Sequence, residues 1–460
     1  MDLVEQLNHI FYPGTVAVVG ASNNPEKLGS RCVANLLEAG FGGRIYPINP
    51  NLPEILGLKT YPSVGAIPGE VDLAVIAIPA ELTVSAIEEC VAKGIKGAVM
   101  FTSGFRELDT EVGMDLQDRI RDIANRGGMK IIGPNCLGLA NPGANLNVSF
   151  HPHFGSSKVG GVAIASQSGG VCAYIACTLT NNNVGVSKAI SMGNRCNLDF
   201  DEILSYFAED EDTKMVVMYI EGLEKPRQLM NVARQMVKRK PVIVYKSARG
   251  RELNRTALSH TGTLAGNYEF YKAAFSQAGI ITVDSLTELV DMAKALTLQP
   301  PSSGDRVAIL SVQAGLTMIM ADKCRELGLR LAEFSPLTRQ RLGRLALNTT
   351  NNPVDLAWRA SGFDASREIL EIIVEDEGVD VVTVAAVHNP PAMELMRAVV
   401  DITKHYKNSV TVCLDVPSEA AGEDARALEA SGIPTYPLPE RAVTGLAGLV
   451  RYGRILRALG

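Results

Sequence analysis

Short apolar runs alternate with stretches of helical period along the whole chain, the pattern of parallel βαβ units. The first set of runs covers residues 15–19, 44–48, 73–78, 98–102 and 130–132. Between the third and fourth, Val84, Ile87 and Val91 recur at helical spacing beside Ala86 and Cys90, which predicts a crossover helix over 83–93. A second set occupies 162–165, 187–191, 215–220, 242–245 and 280–283, and a third 306–311, 329–333, 380–386, 409–414 and 433–436. Boundaries fall near 145–160 and at Gln299-Pro-Pro-Ser-Ser-Gly304, the clearest linker, giving domains at 1–145, 146–300 and 305–460. The fold class is α/β: three open sheets, each with helices on both faces.

Composition narrows the class. The 460 residues are 46% hydrophobic and 20% charged, enough apolar material for several cores. A net charge of -6 with no dense Lys/Arg run argues against nucleic acid or an anionic membrane as partner. No apolar segment approaches the ~20 residues that span a bilayer. The N-terminus lacks the basic and apolar regions of a secretion signal, so a cytoplasmic location is expected. The eight cysteines are scattered among apolar neighbours with no C-x-x-C, which reads as reduced core thiols and no metal site.

In open parallel sheets, ligands bind beyond the carboxyl ends of the strands. In the first domain those ends carry Gly20-Ala-Ser-Asn-Asn24, Asn49-Pro-Asn51, Pro79-Ala-Glu81, Ser103-Gly-Phe-Arg-Glu107 and Gly133-Pro-Asn-Cys136. Turn chemistry alone favours such residues; a nucleotide crevice, with Gly20 admitting backbone amides to a phosphate, favours them too. G-x-G-x-x-G is missing, the second strand ends in Asn49-Pro50 without the acidic residue that NAD would want, and no P-loop occurs, so a dehydrogenase is disfavoured. A ligand with a phosphorylated ribose, such as coenzyme A, fits better. Lys27 is either its phosphate partner or a solvated lysine.

The second domain opens with Ser166-Gln-Ser-Gly-Gly170 between a strand and the apolar stretch 171–177. Ser166, Ser168, Gly169 and Gly170 thus stand at a helix N-terminus as an anion site or a plain cap. G-x-S-x-G is absent, so no Ser-His-Asp hydrolase is implied. A long stretch of 246–266 without helical period holds His260 between glycines. A lone histidine is ordinarily structural; next to an anion site, a neutral imidazole can attack a phosphoryl centre. Glu221, just past the strand 215–220, could accept from the other ring nitrogen, or be a solvated turn residue.

These residues, with Ser103-Gly-Phe-Arg-Glu107, Gly133-Pro-Asn-Cys-Leu-Gly138, Ser191-Met-Gly-Asn194, Ser259-His-Thr-Gly-Thr-Leu-Ala-Gly266 and Asn352-Pro-Val-Asp-Leu356, run in order across most of the chain. Together they resemble the NDP-forming acyl-CoA synthetases, the superfamily of ADP-forming acetyl-CoA synthetase and succinyl-CoA synthetase. The resemblance implies a Rossmann-like CoA-binding domain followed by two flavodoxin-like ligase domains, as in an α subunit. It implies a reversible reaction: acyl-CoA and phosphate give acyl phosphate, the phosphoryl group moves to a histidine, and ADP takes it to form ATP. By position, His260 would be the phosphohistidine and Glu221 its stabilising carboxylate. Ser166, Ser168, Gly169 and Gly170 would bind phosphate, with Gly193 and Asn194 nearby. Gly20, Ala21, Ser22, Lys27, Asn49, Pro50, Ile78, Pro79, Ser103, Gly104, Phe105, Asn135 and Cys136 would line the CoA crevice.

No ATP-grasp nucleotide module is recognisable, so the resemblance implies an ATP-grasp β subunit holding ADP or ATP with Mg, in an α2β2 assembly acting on a small carboxylic acid. The turn Ser311-Val-Gln-Ala-Gly315 departs from the family's more glycine- and asparagine-rich pattern. His388, His405 and Trp358 read as structural. The alternative function is a non-catalytic CoA-binding regulatory or scaffold protein.

Overall fold

The computed structural model describes residues 2–249, 268–345, 347, 349–356, 362–406, 408–415 and 419–459. They fall into two compact units, Met1–Asp284 and Ser285–Gly460.

The first unit holds two sheets. One is fully parallel, in the order Arg44–Ile48, Thr15–Val19, Leu73–Ile76, Gly97–Met100, Lys130–Ile132. In the central pairing of Thr15–Val19 with Leu73–Ile76, all four residue pairs are buried aliphatics, three of them fully, which is why these strands read as unbroken apolar runs rather than alternating ones. The chain leaves the third strand two residues earlier than the apolar run suggests, because Pro79 introduces the 3-10 turn Ala80–Leu82.

The second sheet runs Ile281–Val283, Val242–Lys246, Met215–Ile220, Val159–Ser166, Val186–Ser191, Gly138–Asn141, Leu146–Ser149. Its first five strands are parallel, but the last two form an antiparallel hairpin added to the Val186–Ser191 edge. Purely parallel sheets are what the sequence pattern predicts; this sheet is mixed. The hairpin strands are only four residues each, separated by Pro142–Ala144, so they give too short a run to stand out from a connecting loop.

Buried polar contacts bind the two sheets together. Asn35 Nδ2 donates to the carbonyl of Ser149 (2.7 Å) and Asn141 Nδ2 to that of Phe11 (3.0 Å). The ring of Phe11 stacks on Tyr206 at 4.9 Å. Lys188, fully buried, donates to Asp210 (2.7 Å) and to the Tyr12 hydroxyl (2.8 Å), which donates onward to Asp212 (2.5 Å).

The second unit is built on a six-stranded sheet. Its order is Arg330–Leu331, Arg306–Ser311, Val381–Val387, Ser409–Asp415, Thr435–Tyr436, with Val354–Asp355 also paired to Arg306–Ser311. The helix Leu286–Leu298 belongs to this unit and packs on Pro439–Leu459; Gly448 allows that approach, since a Cβ there would lie 2.9 Å from Met292. A buried ion pair, Arg441 with Asp291 (2.6 Å), and a second, Lys294 with Glu429, fix the helix. Among the described residues no helix is long and apolar enough to cross a membrane.

Candidate active site

Each sheet of the first unit reverses its winding direction once, and at such a switch point the loops on either side part to leave a crevice. In the first sheet this point lies between Thr15–Val19 and Leu73–Ile76. Gly20 turns the chain there with φ +90, and a Cβ would sit 2.4 Å from the Ala77 carbonyl oxygen, so only glycine fits. Gly29, in the first turn of the helix Leu28–Glu38, lets that helix close onto Gly20. Asn49 Nδ2 donates to the Ala21 carbonyl (2.8 Å) and Asn49 Oδ1 accepts from the Asn51 N–H (2.9 Å), so this asparagine shapes the rim. Ser22 Oγ accepts from the Asn24 N–H (3.1 Å), and Lys27 is exposed at the start of the helix. Ile78 is half-buried and its carbonyl accepts from Thr102 Oγ1 (2.8 Å), while Pro50, Pro79 and Ser103 are exposed.

The structure joins Gly104, Phe105, Asn135, Gly193 and Asn194 into one network. Glu107 Oε1 accepts from the N–H groups of Gly104 (2.6 Å) and Phe105 (3.2 Å), and Glu107 Oε2 from Asn194 Nδ2 (2.5 Å). Asn135 Nδ2 donates to Asn194 Oδ1 (3.4 Å). Gly193, at φ +55, passes so close to Pro134 that a Cβ would lie 2.3 Å from its carbonyl oxygen. Phe105 and Cys136 turn their side chains into the core, so only their backbones border the crevice. Burial pushes the Cys136 thiol up to about 12, which removes it as a nucleophile.

The second sheet switches between Val159–Ser166 and Met215–Ile220, so the loop 166–170 and Glu221 face the same crevice. Ser166 is fully buried and its hydroxyl donates to the Ser168 carbonyl (2.7 Å), which makes it a shaper of the loop. Ser168 caps the helix Gly169–Asn181, accepting from the Val171 N–H (3.4 Å). That helix has no acidic residue in its first turn, and Gly170 is exposed with open space beside it, so an anion can reach the N-terminal amides.

Sequence reasoning passed over three residues here. Glu107 gathers the first-sheet loops. Gln167, 4% exposed, accepts at Oε1 from the N–H groups of Glu221 (3.0 Å) and Gly222 (3.2 Å) and so ties the loop 166–170 to the predicted carboxylate. Lys246, fully buried, donates from Nζ to the carbonyl of Glu221 (2.7 Å). A polar residue ending an apolar strand, as Lys246 does, is the one sequence signal that could have marked it. His260 lies outside the described residues, as does Trp358. His388 pairs with Asp424 (2.8 Å) in the second unit.

Comparison with known proteins identifies the two domain types of the first unit. Residues 14–142 match the CoA binding domain model, and 159–296 the succinyl-CoA ligase like flavodoxin domain model. The ADP-forming acetate–CoA ligase I of Archaeoglobus fulgidus is 39% identical over 98% of this chain, which spans 64% of that protein's length. The α subunit of the ADP-forming acetate–CoA ligase II of Pyrococcus furiosus is 37% identical over 97% of this chain and 98% of its own. Among solved structures, the dinucleotide-forming acetyl-coenzyme A synthetase 1 of Ca. Korarchaeum cryptofilum, in complex with phosphate and ADP, superposes with a TM-score of 0.89 at 32% identity over 98% of both chains. A parallel first sheet matched by the CoA binding domain model, a Ser-Gly loop at the second switch point inside the ligase-like domain, and this end-to-end kinship place the chain in the family of the ADP-forming acetate–CoA ligases.

Proposed function

We propose that this chain is the catalytic α subunit of an ADP-forming acyl-CoA ligase. Coenzyme A lies across the first-sheet crevice from Gly20 to Asn135. A phosphate held by the amides of Gly169 and Gly170 attacks the thioester carbonyl; the C–S bond breaks, CoA leaves as the thiolate, and acyl phosphate remains. A ring nitrogen of His260 then attacks phosphorus, the bond to the acyl oxygen breaks, and the carboxylate leaves. A β-phosphate oxygen of ADP takes the phosphoryl group from the histidine, whose N–P bond breaks to give ATP. Glu221 accepts from the other ring nitrogen and balances the charge the imidazole gains.

The single observation that carries this reading is the convergence of the anion loop and Glu221 on one switch point through Gln167. The matched segments support a CoA-binding domain, expected at 1–145, and a first ligase domain, expected at 146–300, while the separate sheet of the second unit supports a second ligase domain at 305–460. The Pyrococcus relatives' designation as α subunits supports a partner chain, which we assign as an ATP-grasp β subunit holding Mg-bound ADP in an α2β2 complex. The full-length kinship favours catalysis over the scaffold alternative. The expected location is the cytoplasm.

The test is labelling with radioactive acetyl phosphate, with and without the β subunit. Acid-labile, base-stable label on His260, lost in His260→Ala and slowed in Glu221→Gln, is the expected result. Unlabelled wild type with its partner present, or full labelling of His260→Ala, rejects the reading.

A further inference from the structure

The three backbone positions after the strand Met215–Ile220 are held by side chains from three other elements. Gln167 Oε1, from the anion loop, accepts from the N–H groups of Glu221 and Gly222. Lys246 Nζ, at the end of the neighbouring strand, donates to the carbonyls of Glu221 (2.7 Å) and Ser247 (2.6 Å). Tyr271, from the helix Tyr268–Gln277, accepts at its hydroxyl from the Leu223 N–H (3.3 Å), and its ring centre lies 4.8 Å from Lys246 Nζ. An ordinary strand end leaves such groups to water. Here a lysine and a glutamine have been buried to reach them, at a cost that solvated ends avoid.

The two N–H donors also fix which way the Gln167 amide points: its oxygen must face them, so its Nε2 faces away. That Nε2 is buried and has no hydrogen-bond partner among the described residues. An unsatisfied buried donor is destabilising, and natural folds keep one where the position serves a purpose besides stability.

We propose that Gln167 and Lys246 are positioning residues: they grip the backbone of Glu221 from both sides, aim its carboxylate, and root the His260-bearing segment beside it at Ser247. The inference rests on the phosphohistidine reading above. Lys246 links Glu221 and Ser247 through a single ammonium, so the backbone that carries the carboxylate and the backbone of Ser247 share one anchor. The ammonium uses three N–H bonds on two carbonyls and a ring face; a neutral amine has two, and its lone pair would repel the third partner. Burial is the main cause that brings the Lys246 pKa down to about 8; Glu221 opposes the shift and Arg249 adds to it. Among the described residues, the titratable and charged groups around it are Glu221, Arg249 and Tyr271, with Tyr219 beside Glu221. The grip is complete below that pH and loses a contact above it.

The experiment follows the rate at which the full complex transfers label from acetyl phosphate to His260, from neutral to strongly alkaline pH. CoA affinity, a property of the first sheet, serves as the folding control. Lys246→Met and Gln167→Met are expected to slow transfer on the order of 10- to 100-fold, the usual effect of misplacing a catalytic group, with CoA affinity kept. Wild type should show an alkaline fall in rate centred at about 8, and Lys246→Met a low rate without that fall. Should either variant lose CoA binding through misfolding, the wild-type pH profile decides alone. Variants that transfer at the wild-type rate, or a wild-type rate flat through the alkaline range, overturn the proposal while leaving the phosphohistidine in place. Wild type that takes no label removes the function reading first and the positioning role with it.

Discussion

Gly20→Ala is the sharpest test of the first-sheet crevice. The backbone at this position has φ +90, where an L side chain costs about 1–2 kcal/mol. The added methyl would also lie 2.4 Å from the Ala77 carbonyl oxygen and 2.8 Å from Ile78 Cγ2, too close for either to remain. Relief requires the strand ends to separate where the Ala77 N–H donates to the Val19 carbonyl (2.9 Å), and losing that bond adds about 0.5–1.5 kcal/mol. The sum, about 1.5–3.5 kcal/mol, corresponds to a melting temperature lower by roughly 3–14 °C. Because the displaced residues border the crevice proposed to hold CoA, a share of about 1.4 kcal/mol falling on the binding geometry would weaken CoA about 10-fold. Scanning calorimetry and CoA titration read the two effects separately. Gly170→Ala is the matched control: its Cβ meets nothing within 4 Å, so its stability should stay within about 0.5 kcal/mol of wild type. Gly20→Ala with unchanged melting and unchanged CoA affinity would refute the argument that this turn closes the crevice.

Two further outcomes follow from burial. Seven of the eight cysteines are buried and Cys177 is partly exposed; burial drives the thiols of Cys90, Cys136, Cys196 and Cys324 up to about 12. Iodoacetamide at neutral pH should therefore alkylate Cys177 first and by itself in native protein, and peptide mapping that finds a buried cysteine modified as fast contradicts this. Lys188→Met leaves Asp210, 7% exposed in its side chain, without its cation, which should cost about 3–5 kcal/mol in urea unfolding. A loss under about 1 kcal/mol would mean that water or another cation reaches Asp210, a cost typical of an exposed pair.

Most of the sheet architecture was legible because buried parallel strands need continuous aliphatic runs, and residues 15–19, 44–48, 130–132, 215–220 and 306–311 coincide with the strands observed. Weakest were the sheet edges. Arg330–Leu331 is only two residues long, and the hairpin Gly138–Ser149 takes its partner from the Val186–Ser191 strand about 50 residues on, which no local pattern records. Motif reading picked out the glycines and serines that meet at the strand ends, because turn geometry restricts those positions to few residue types. It passed over Gln167, Lys246 and Glu107, whose roles depend on groups brought near only by folding. Gln167 sat inside a motif already singled out, and nothing in its neighbours distinguished its amide from a solvated one.

The Gly138–Ser149 hairpin has a practical corollary for anyone cutting this chain into pieces. It follows directly on the last strand of the first sheet, yet completes the second, and Asn35 reaches across to its final residue. Severing the backbone around Asn145 would strip an edge ribbon from one fragment and leave raw ladder groups on the other. Chimeras that exchange the cofactor half between relatives should therefore carry the stretch through Asp284 as one cassette, since recombination inside it splits a shared sheet rather than a linker.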